Sequence, residues 1–200
     1  MKWIAALLII LVAAGCETIS PSRLNVNPRY SAFQVHRVAI MPFEGVPVQK
    51  EVEEFNGWWR FNYVNSGEVI SDIFTNEMLS LPLFDYIERS QIRKVIEEQN
   101  LSMTDWVRSK TAAEMGKLLG VDAVIVGQVH KLYRSRSFLN TQDSYVSFSV
   151  RMVDTATGTV LWSATVEHEI SDMNVLQVAR QECAAIVKEL GEKLAPTGAK

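Results

Sequence analysis

The chain has 200 residues, of which 48% are hydrophobic and 22% are charged, and its formal net charge is −3. This length and composition indicate one globular domain with a proper core, and the lack of a basic excess excludes nucleic acid as an expected partner. Only two cysteines are present, so a disulfide framework is excluded as well.

Residues 1–15 are typical of an export signal. Lys2 gives a positive start, and residues 4–12 form an apolar run that is too short to span a bilayer as a helix. The next residues, Ala13 to Cys16, resemble the lipobox of bacterial lipoproteins, although Ala13 stands where Leu is usual. The resemblance implies cleavage before Cys16 and acylation of its thiol and of the new amine. Because Glu17 follows rather than Asp, it also implies an outer-membrane anchor that faces the periplasm. The alternative is an ordinary cleaved signal with Cys16 there by chance.

Residues 16–34 are predicted to be a lipidated tether, because Ser, Pro and Asn are frequent there and large apolar residues are few. A flexible chain of this length has an end-to-end distance of about 25 Å, so the folded domain should stay close to its membrane. The domain itself is expected to span residues 35–195, and residues 196–200 are expected to be a disordered tail.

The domain is predicted to be α/β (α+β), with helices packed on a single mixed sheet in the order βαβααβββα. Residues 37–43 and 123–126 lack polar alternation, which predicts strands buried on both faces. Asn65 with Glu68 is expected to cap the first helix. The other elements are expected at 84–87, 145–153 and 160–166 (strands), at 90–100 and after Asp172 (helices), and at 154–158 (a hairpin turn).

The helix before residue 123 has its own signals. Thr111 and Glu114 form a T-x-x-E capping box, which predicts a helix that begins there. Met115, Leu118 and Leu119 are expected to form its apolar face, and Gly120 should end it in a left-handed conformation.

An aromatic cluster lies in the segment between the first strand and the first helix, which is predicted to be a long loop. Residues 55–63 contain five aromatic residues, and the candidates for partner binding are Trp58, Trp59, Phe61 and Tyr63. Exposed rings commonly supply the strongest contacts of protein interfaces. The alternative is that Trp58 and Trp59 fold back onto the core of the domain.

No pattern of catalytic or metal-binding residues is evident, so we predict no enzyme activity, no cofactor, no metal site and no small-molecule substrate. His36, His130 and His168 have no Cys or His at metal-ligand spacing, and alternation sends His168 to the face opposite Glu167 and Glu169. The carboxylates of Asp122 and Asp154 are expected to cap backbone turns. Lys131, Arg134 and Arg136 could form a basic edge that either blocks aggregation or binds a partner. Cys183 lies on the apolar face of the last helix and should be buried.

Several stretches resemble the curli production assembly/transport component family, the CsgG-like lipoproteins. They are the lipobox, VAIMPF, GEVISDIFTNEML, FDYIERSQIRKVIEEQ, LGVDAVIVGQV and VSFSVRMVDTATGTVLW, which cover most of residues 36–167. The channel subunit of that family carries two further membrane-spanning hairpins, each of roughly 20 residues or more. Residues 169–174 are too few for one, and residues 130–144 lack the apolar alternation of the other. The expectation is therefore the periplasmic domain of the family without its pore.

The resemblance implies a non-catalytic lipoprotein that binds envelope proteins, or copies of itself, in export or assembly of surface structures. Related envelope domains with the same D-x-x-T-G turn include the lipoprotein activators of penicillin-binding proteins. Activation of such a peptidoglycan synthase is therefore the alternative, although a short tether argues against a reach through the cell wall.

Overall fold

A computed structural model describes residues 23–47, 51–99, 109–137 and 142–195. The strands are β1 (Arg23–Val26), β2 (Arg37–Ile40), β3 (Val52–Phe55), β4 (Trp58–Asn62), β5 (Asp85–Tyr86), β6 (Ala123–Ser137), β7 (Gln142–Asp154) and β8 (Val160–Ser171). The helices are α1 (Ser66–Met78), α2 (Arg89–Gln99), α3 (Ser109–Leu119) and α4 (Val175–Leu194). Over these ranges, no helix has both the length and the apolar character needed to cross a membrane. Cys16 and residues 196–200 lie outside the described residues.

The eight strands form one mixed sheet in the order β1-β8-β7-β6-β2-β5, and the β3–β4 hairpin is attached to β6. β2 runs parallel to β5 and β6, whereas the other pairs are antiparallel. The predicted fold class is confirmed, and the predicted order is retained with three additional strands, β1, β3 and β4. Only residues 172–174 separate β8 from α4, so no long hairpin is inserted there.

The two central strands are buried on both faces, as their unbroken apolar runs predict. One face packs against α1 and α4 through Val38, Ile40, Ala123 and Ile125. The other packs against α2 and α3 through Ala39, Met41, Val124 and Val126. Each large aliphatic side chain buried in this way contributes about 1.5–3 kcal/mol to folding. The sheet is therefore the middle layer of three.

Two glycines allow α1 and β6 to approach Phe43, which is fully buried after β2. A Cβ at Gly67 would lie 2.1 Å from the carbonyl oxygen of Phe43, and a Cβ at Gly127 would lie 2.6 Å from its ring. The Phe43 ring also contacts Phe74 of α1, with ring centroids 5.8 Å apart. Because glycine alone fits at both places, helix and strand pack tightly on this ring.

The prediction of an irregular tether is wrong at residues 23–26, which form β1. Leu24 pairs with Ala164 of β8 and is buried, and Tyr30 packs against the main core. The Nζ of Lys193 donates a hydrogen bond to the Leu24 carbonyl over 3.0 Å. An edge strand gains its main-chain hydrogen bonds from the neighbouring strand. Four residues without an apolar pattern can therefore form such a strand.

Three predictions about helix ends and faces are also wrong. α3 already includes Ser109, so Thr111 lies within the helix and the capping box does not form. Leu118 is exposed, and Ala112, Ala113 and Met115 provide the buried face. The Asn65 side chain makes no capping hydrogen bond, because its backbone is left-handed with φ 60. The last helix is capped by Asn174, whose side chain accepts from the amide of Leu176. The expected left-handed end at Gly120 is confirmed, with φ +66.

The prediction that carboxylates cap turns is confirmed for Asp154, whereas Asp122 binds the amides at the start of β2. Asp122 accepts hydrogen bonds from the amides of Arg37 (2.8 Å) and His36 (2.9 Å). These two bonds hold the pKa of Asp122 below its usual range, since they stabilise the charged form. In the β7–β8 turn, Asp154 accepts from the amide of Thr157 over 2.7 Å. Both aspartates are therefore structural.

Among the described residues, one face of the sheet is covered by helices only in part. α2 and α3 pack over Val126 and Val153, but no described helix continues beyond them. We call the uncovered remainder the open face. It carries, in strand order, Arg60, Tyr133, Tyr145, Ser149, Arg151 and Thr165.

Candidate functional site

The aromatic segment is a β-hairpin, and the prediction of a loop there is wrong. Asn56 (φ 50) and Gly57 (φ 79) form a two-residue turn in which both residues have positive φ, as a type I′ turn requires. Phe55 pairs with Trp58 across the turn, and β4 then pairs with β6 from Trp58 to Asn62. The dipeptide Asn-Gly is the strongest short-range signal for a hairpin, and it was present in the sequence.

Strand alternation separates the four candidate residues. Trp58 lies on the open face with Arg60, whereas Trp59 and Phe61 point to the opposite face. Phe61 is covered there by the guanidinium of Arg134, which lies 5.1 Å from the ring centroid. Tyr63 packs against the main core. The structure therefore does not bring the four together, and only Trp58 belongs to the site described next.

A groove of about 670 Å³ lies between the hairpin and the distal parts of β6 and β7. We call it the hairpin groove. Its lining includes Glu53, Phe55, Trp58, Arg60, Tyr133 and Tyr145. Phe55 is 75% exposed and Trp58 is 42% exposed, although both are large apolar side chains. Exposed apolar side chains clustered at a groove mark an interaction surface.

The floor of the hairpin groove is a rigid aromatic stack. The rings of Tyr133 and Tyr145 lie 4.5 Å apart with an interplanar angle of 21°. The guanidinium of Arg60 sits 4.5 Å from the Tyr133 centroid and pairs with Glu53 at 3.7 Å. The Tyr145 hydroxyl donates to Glu169 over 2.7 Å. Burial, followed by this hydrogen bond, raises the pKa of Tyr145 to about 12. The floor is thus held together by contacts within the chain.

The polar groups around the groove are engaged in contacts within the chain, such as the Arg60–Glu53 ion pair and the Tyr145–Glu169 hydrogen bond. Within the described ranges, no three His, Cys, Asp or Glu side chains are placed to hold a metal ion. Two of the three histidines are engaged elsewhere: His130 contacts Ser149 at 3.2 Å, and His168 is bonded to Glu182 at 2.8 Å. The sequence did not predict the His168–Glu182 contact, because it joins β8 to α4 and so depends on how the helix packs on the sheet. Cys183 is buried as predicted, and burial raises the pKa of its thiol, which makes it unreactive.

The prediction that Lys131, Arg134 and Arg136 form a basic edge of the sheet is wrong. β6 is an inner strand between β4 and β7, so its residues form no sheet edge. Lys131 pairs with Glu167 at 3.4 Å on the open face, whereas Arg134 lies over Phe61 on the other. These cations stabilise the distal sheet locally.

The chain belongs to the family of the curli production assembly/transport component CsgG, whose family model matches residues 36–182. Among solved structures, it is similar to PelC from Paraburkholderia phytofirmans, crystallised as a dodecamer. The sequence identity is 14%, the TM-score is 0.54, and the match covers 85% of this chain and 96% of that one. It is also similar to the lipoprotein GNA1162 from Neisseria meningitidis, at 18% identity and a TM-score of 0.53, covering 78% of this chain and 99% of that one. These likenesses show a shared fold. No curated protein sequence matches the chain.

Proposed function

We propose that this protein is a non-catalytic lipoprotein, anchored through acylated Cys16 to the periplasmic face of the outer membrane. It binds envelope proteins, including copies of itself, in the export or assembly of surface structures. The observation that carries the proposal is the hairpin groove, where exposed aromatic side chains meet a preformed floor. Membership of the CsgG family and the likeness to PelC, which forms a dodecamer, support it.

Two properties of the hairpin groove favour binding: its exposed apolar surface and the fixed positions of the side chains that line it. Phe55 and Trp58 bring large apolar surfaces that water covers in the free protein. The Tyr133–Tyr145 stack and the Arg60–Tyr133 contact already hold the facing side chains in place. A partner therefore gains apolar burial without a large ordering cost on this side of the interface.

The binding proposal is tested by comparing Trp58→Ala with Trp59→Ala. The two tryptophans are neighbours in one strand but lie on opposite faces, so Trp59→Ala is a matched control. Trp58→Ala should weaken association by about 2 kcal/mol, or roughly thirtyfold, because interface tryptophans are common hot spots. Association is measured by crosslinking in intact cells, by capture of the anchored protein and by sedimentation of the purified full chain. A large fall in Tm for Trp58→Ala with association intact would place this ring in the core instead.

The anchor is tested separately with Cys16→Ala. Without the thiol, the chain cannot be acylated at this position, so the variant should no longer fractionate with the outer membrane or incorporate a labelled fatty acid. Cys183→Ala is the matched control, because that cysteine is buried and should leave both readouts unchanged. Wild-type labelling of Cys16→Ala would contradict the lipoprotein assignment.

A further inference from the structure

Arg151, at the centre of the sheet, is a cation without a counter-ion among the described residues. It lies on β7 between Val126 of β6 and Ser163 of β8, on the open face. Its Nε is buried and has no hydrogen-bond partner. No ion pair joins Arg151 to any residue in the described parts of the chain, and burial alone lowers the pKa of its guanidinium. A half-buried guanidinium with an unused donor can donate to a hydrogen-bond acceptor from outside the chain.

The surroundings of Arg151 suit an anion. A recess of about 70 Å³ beside it is lined by the polar side chains of Gln128, Ser149, Ser163 and Thr165, and no carboxylate lines it. We call it the Arg151 recess. A guanidinium presents donors in a planar fork that matches a carboxylate, and the hydroxyl and amide groups around it can add further hydrogen bonds. The recess is large enough for one carboxylate group and too small for a folded segment.

The chain carries matching carboxylates at β3. Glu51 directly precedes this strand and Glu54 lies within it, and both are exposed. Glu53 pairs with Arg60, whereas Glu51 and Glu54 make no ion pair with any residue described. Among the described strands, β3 pairs with β4 alone, so its other edge has no partner within the described residues. We call residues 51–55 the acidic arm.

The acidic arm cannot reach Arg151 of its own chain. The hairpin joins β6 beside Ser135, which pairs with Asp143 of β7. Arg151 lies eight residues further along β7, which corresponds to about 27 Å of strand. An arm that meets the Arg151 recess must therefore come from another molecule.

We propose that the Arg151 recess receives a carboxylate of the acidic arm, Glu51 or Glu54, from a second copy of this chain. The inference rests on the self-association in the proposed function and names the surfaces that make it. The acidic arm and the Arg151 recess are different surfaces of the same molecule, so the contact is head-to-tail. Each copy has one acidic arm and one Arg151 recess. Association is therefore not limited to two copies.

A charge exchange between two variants tests the proposal. One variant is Arg151→Glu, and the other combines Glu51→Arg with Glu54→Arg, which leaves the Glu53–Arg60 pair in place. Each variant alone should associate at least about tenfold more weakly than wild type, because like charges then meet at the contact. An equimolar mixture should regain association, since each arm then meets a recess of opposite charge. Sedimentation velocity of the full chain in detergent measures all three, and Arg180→Glu, an exposed charge reversal on α4, is the control.

The outcomes separate this inference from the proposed self-association. Weak variants with a restored mixture support it. Wild-type association of Arg151→Glu, or a mixture that stays dissociated, overturns it while self-association stands. A wild-type chain that remains monomeric at every concentration overturns both. If circular dichroism shows that Arg151→Glu does not fold, Arg151→Gln replaces it, and wild-type association of that variant also overturns the inference.

Discussion

Gly67→Ala should destabilise the domain by about 3 kcal/mol or more, which corresponds to a fall in Tm of roughly 10 °C. The added Cβ would lie 2.1 Å from the Phe43 carbonyl oxygen and 2.7 Å from the Gly45 amide nitrogen. Both are backbone atoms, and neighbouring Glu44 is bonded to Gly127 and Val129 of β6. Relief of the clash therefore requires α1 to move away from Phe43 or this segment to leave β6.

Gly191→Ala is the matched control for that experiment. It makes the same chemical change in the interior of α4, where the added Cβ would meet only Cδ2 of Leu81 at 2.8 Å. A flexible side-chain end can turn aside, and alanine favours a helix over glycine by about 1 kcal/mol, so stability should be unchanged or slightly higher. Urea unfolding followed by circular dichroism measures both. Equal stability of the two variants would show that the close approach at Gly67 is wrong.

The second large effect is expected at the buried pair formed by His168 of β8 and Glu182 of α4. The His168 Nδ1 lies 2.8 Å from Oε1 of Glu182, and each side chain is only 10% exposed. His168→Ala should cost about 3 kcal/mol of unfolding free energy, because it leaves a buried carboxylate without its partner.

A double variant distinguishes the contribution of the His168–Glu182 interaction to stability from that of side-chain packing at the same site. His168→Leu combined with Glu182→Leu removes both polar groups and fills the space, so it should be considerably more stable than His168→Ala. Thermal and urea unfolding of the two variants, each against wild type, provides the comparison. If the double variant is less stable than His168→Ala, the His168–Glu182 pair itself stabilises the domain, and the loss in His168→Ala is not only the cost of an unpaired carboxylate.

Local patterns in the sequence predicted most of the central sheet. The apolar run at residues 123–126 predicted a strand covered on both faces, and the D-x-x-T-G segment predicted a tight turn, and the structure has both. β1 was missed because an edge strand is held by main-chain bonds to β8, about 140 residues away, and needs little apolar pattern of its own. The His168–Glu182 pair was missed for a similar reason, since it depends on how α4 lies on the sheet.

The candidate site was predicted only in part, because strand register decides which side chains meet. Trp58 was identified, but Tyr133 and Tyr145, which form the floor of the groove, come from β6 and β7. A β-bulge between Val129 and Lys131 reverses the alternation of β6, which turns Tyr133 to the open face and keeps Leu132 in the core. No pattern within β6 alone revealed that reversal. The Asn-Gly turn, by contrast, was visible in the sequence and predicts the hairpin.

If Cys16 is acylated as proposed, β1 also limits how far this domain can travel from the bilayer. Arg23 follows Cys16 by seven residues, so a lipid on Cys16 would hold the start of β1 within about 25 Å of the membrane even with the chain fully extended. Molecules anchored in this way diffuse in a thin layer at the membrane instead of through a volume. Their effective concentration relative to one another is therefore higher. Contacts too weak to hold free copies together in dilute solution would then suffice to assemble anchored ones.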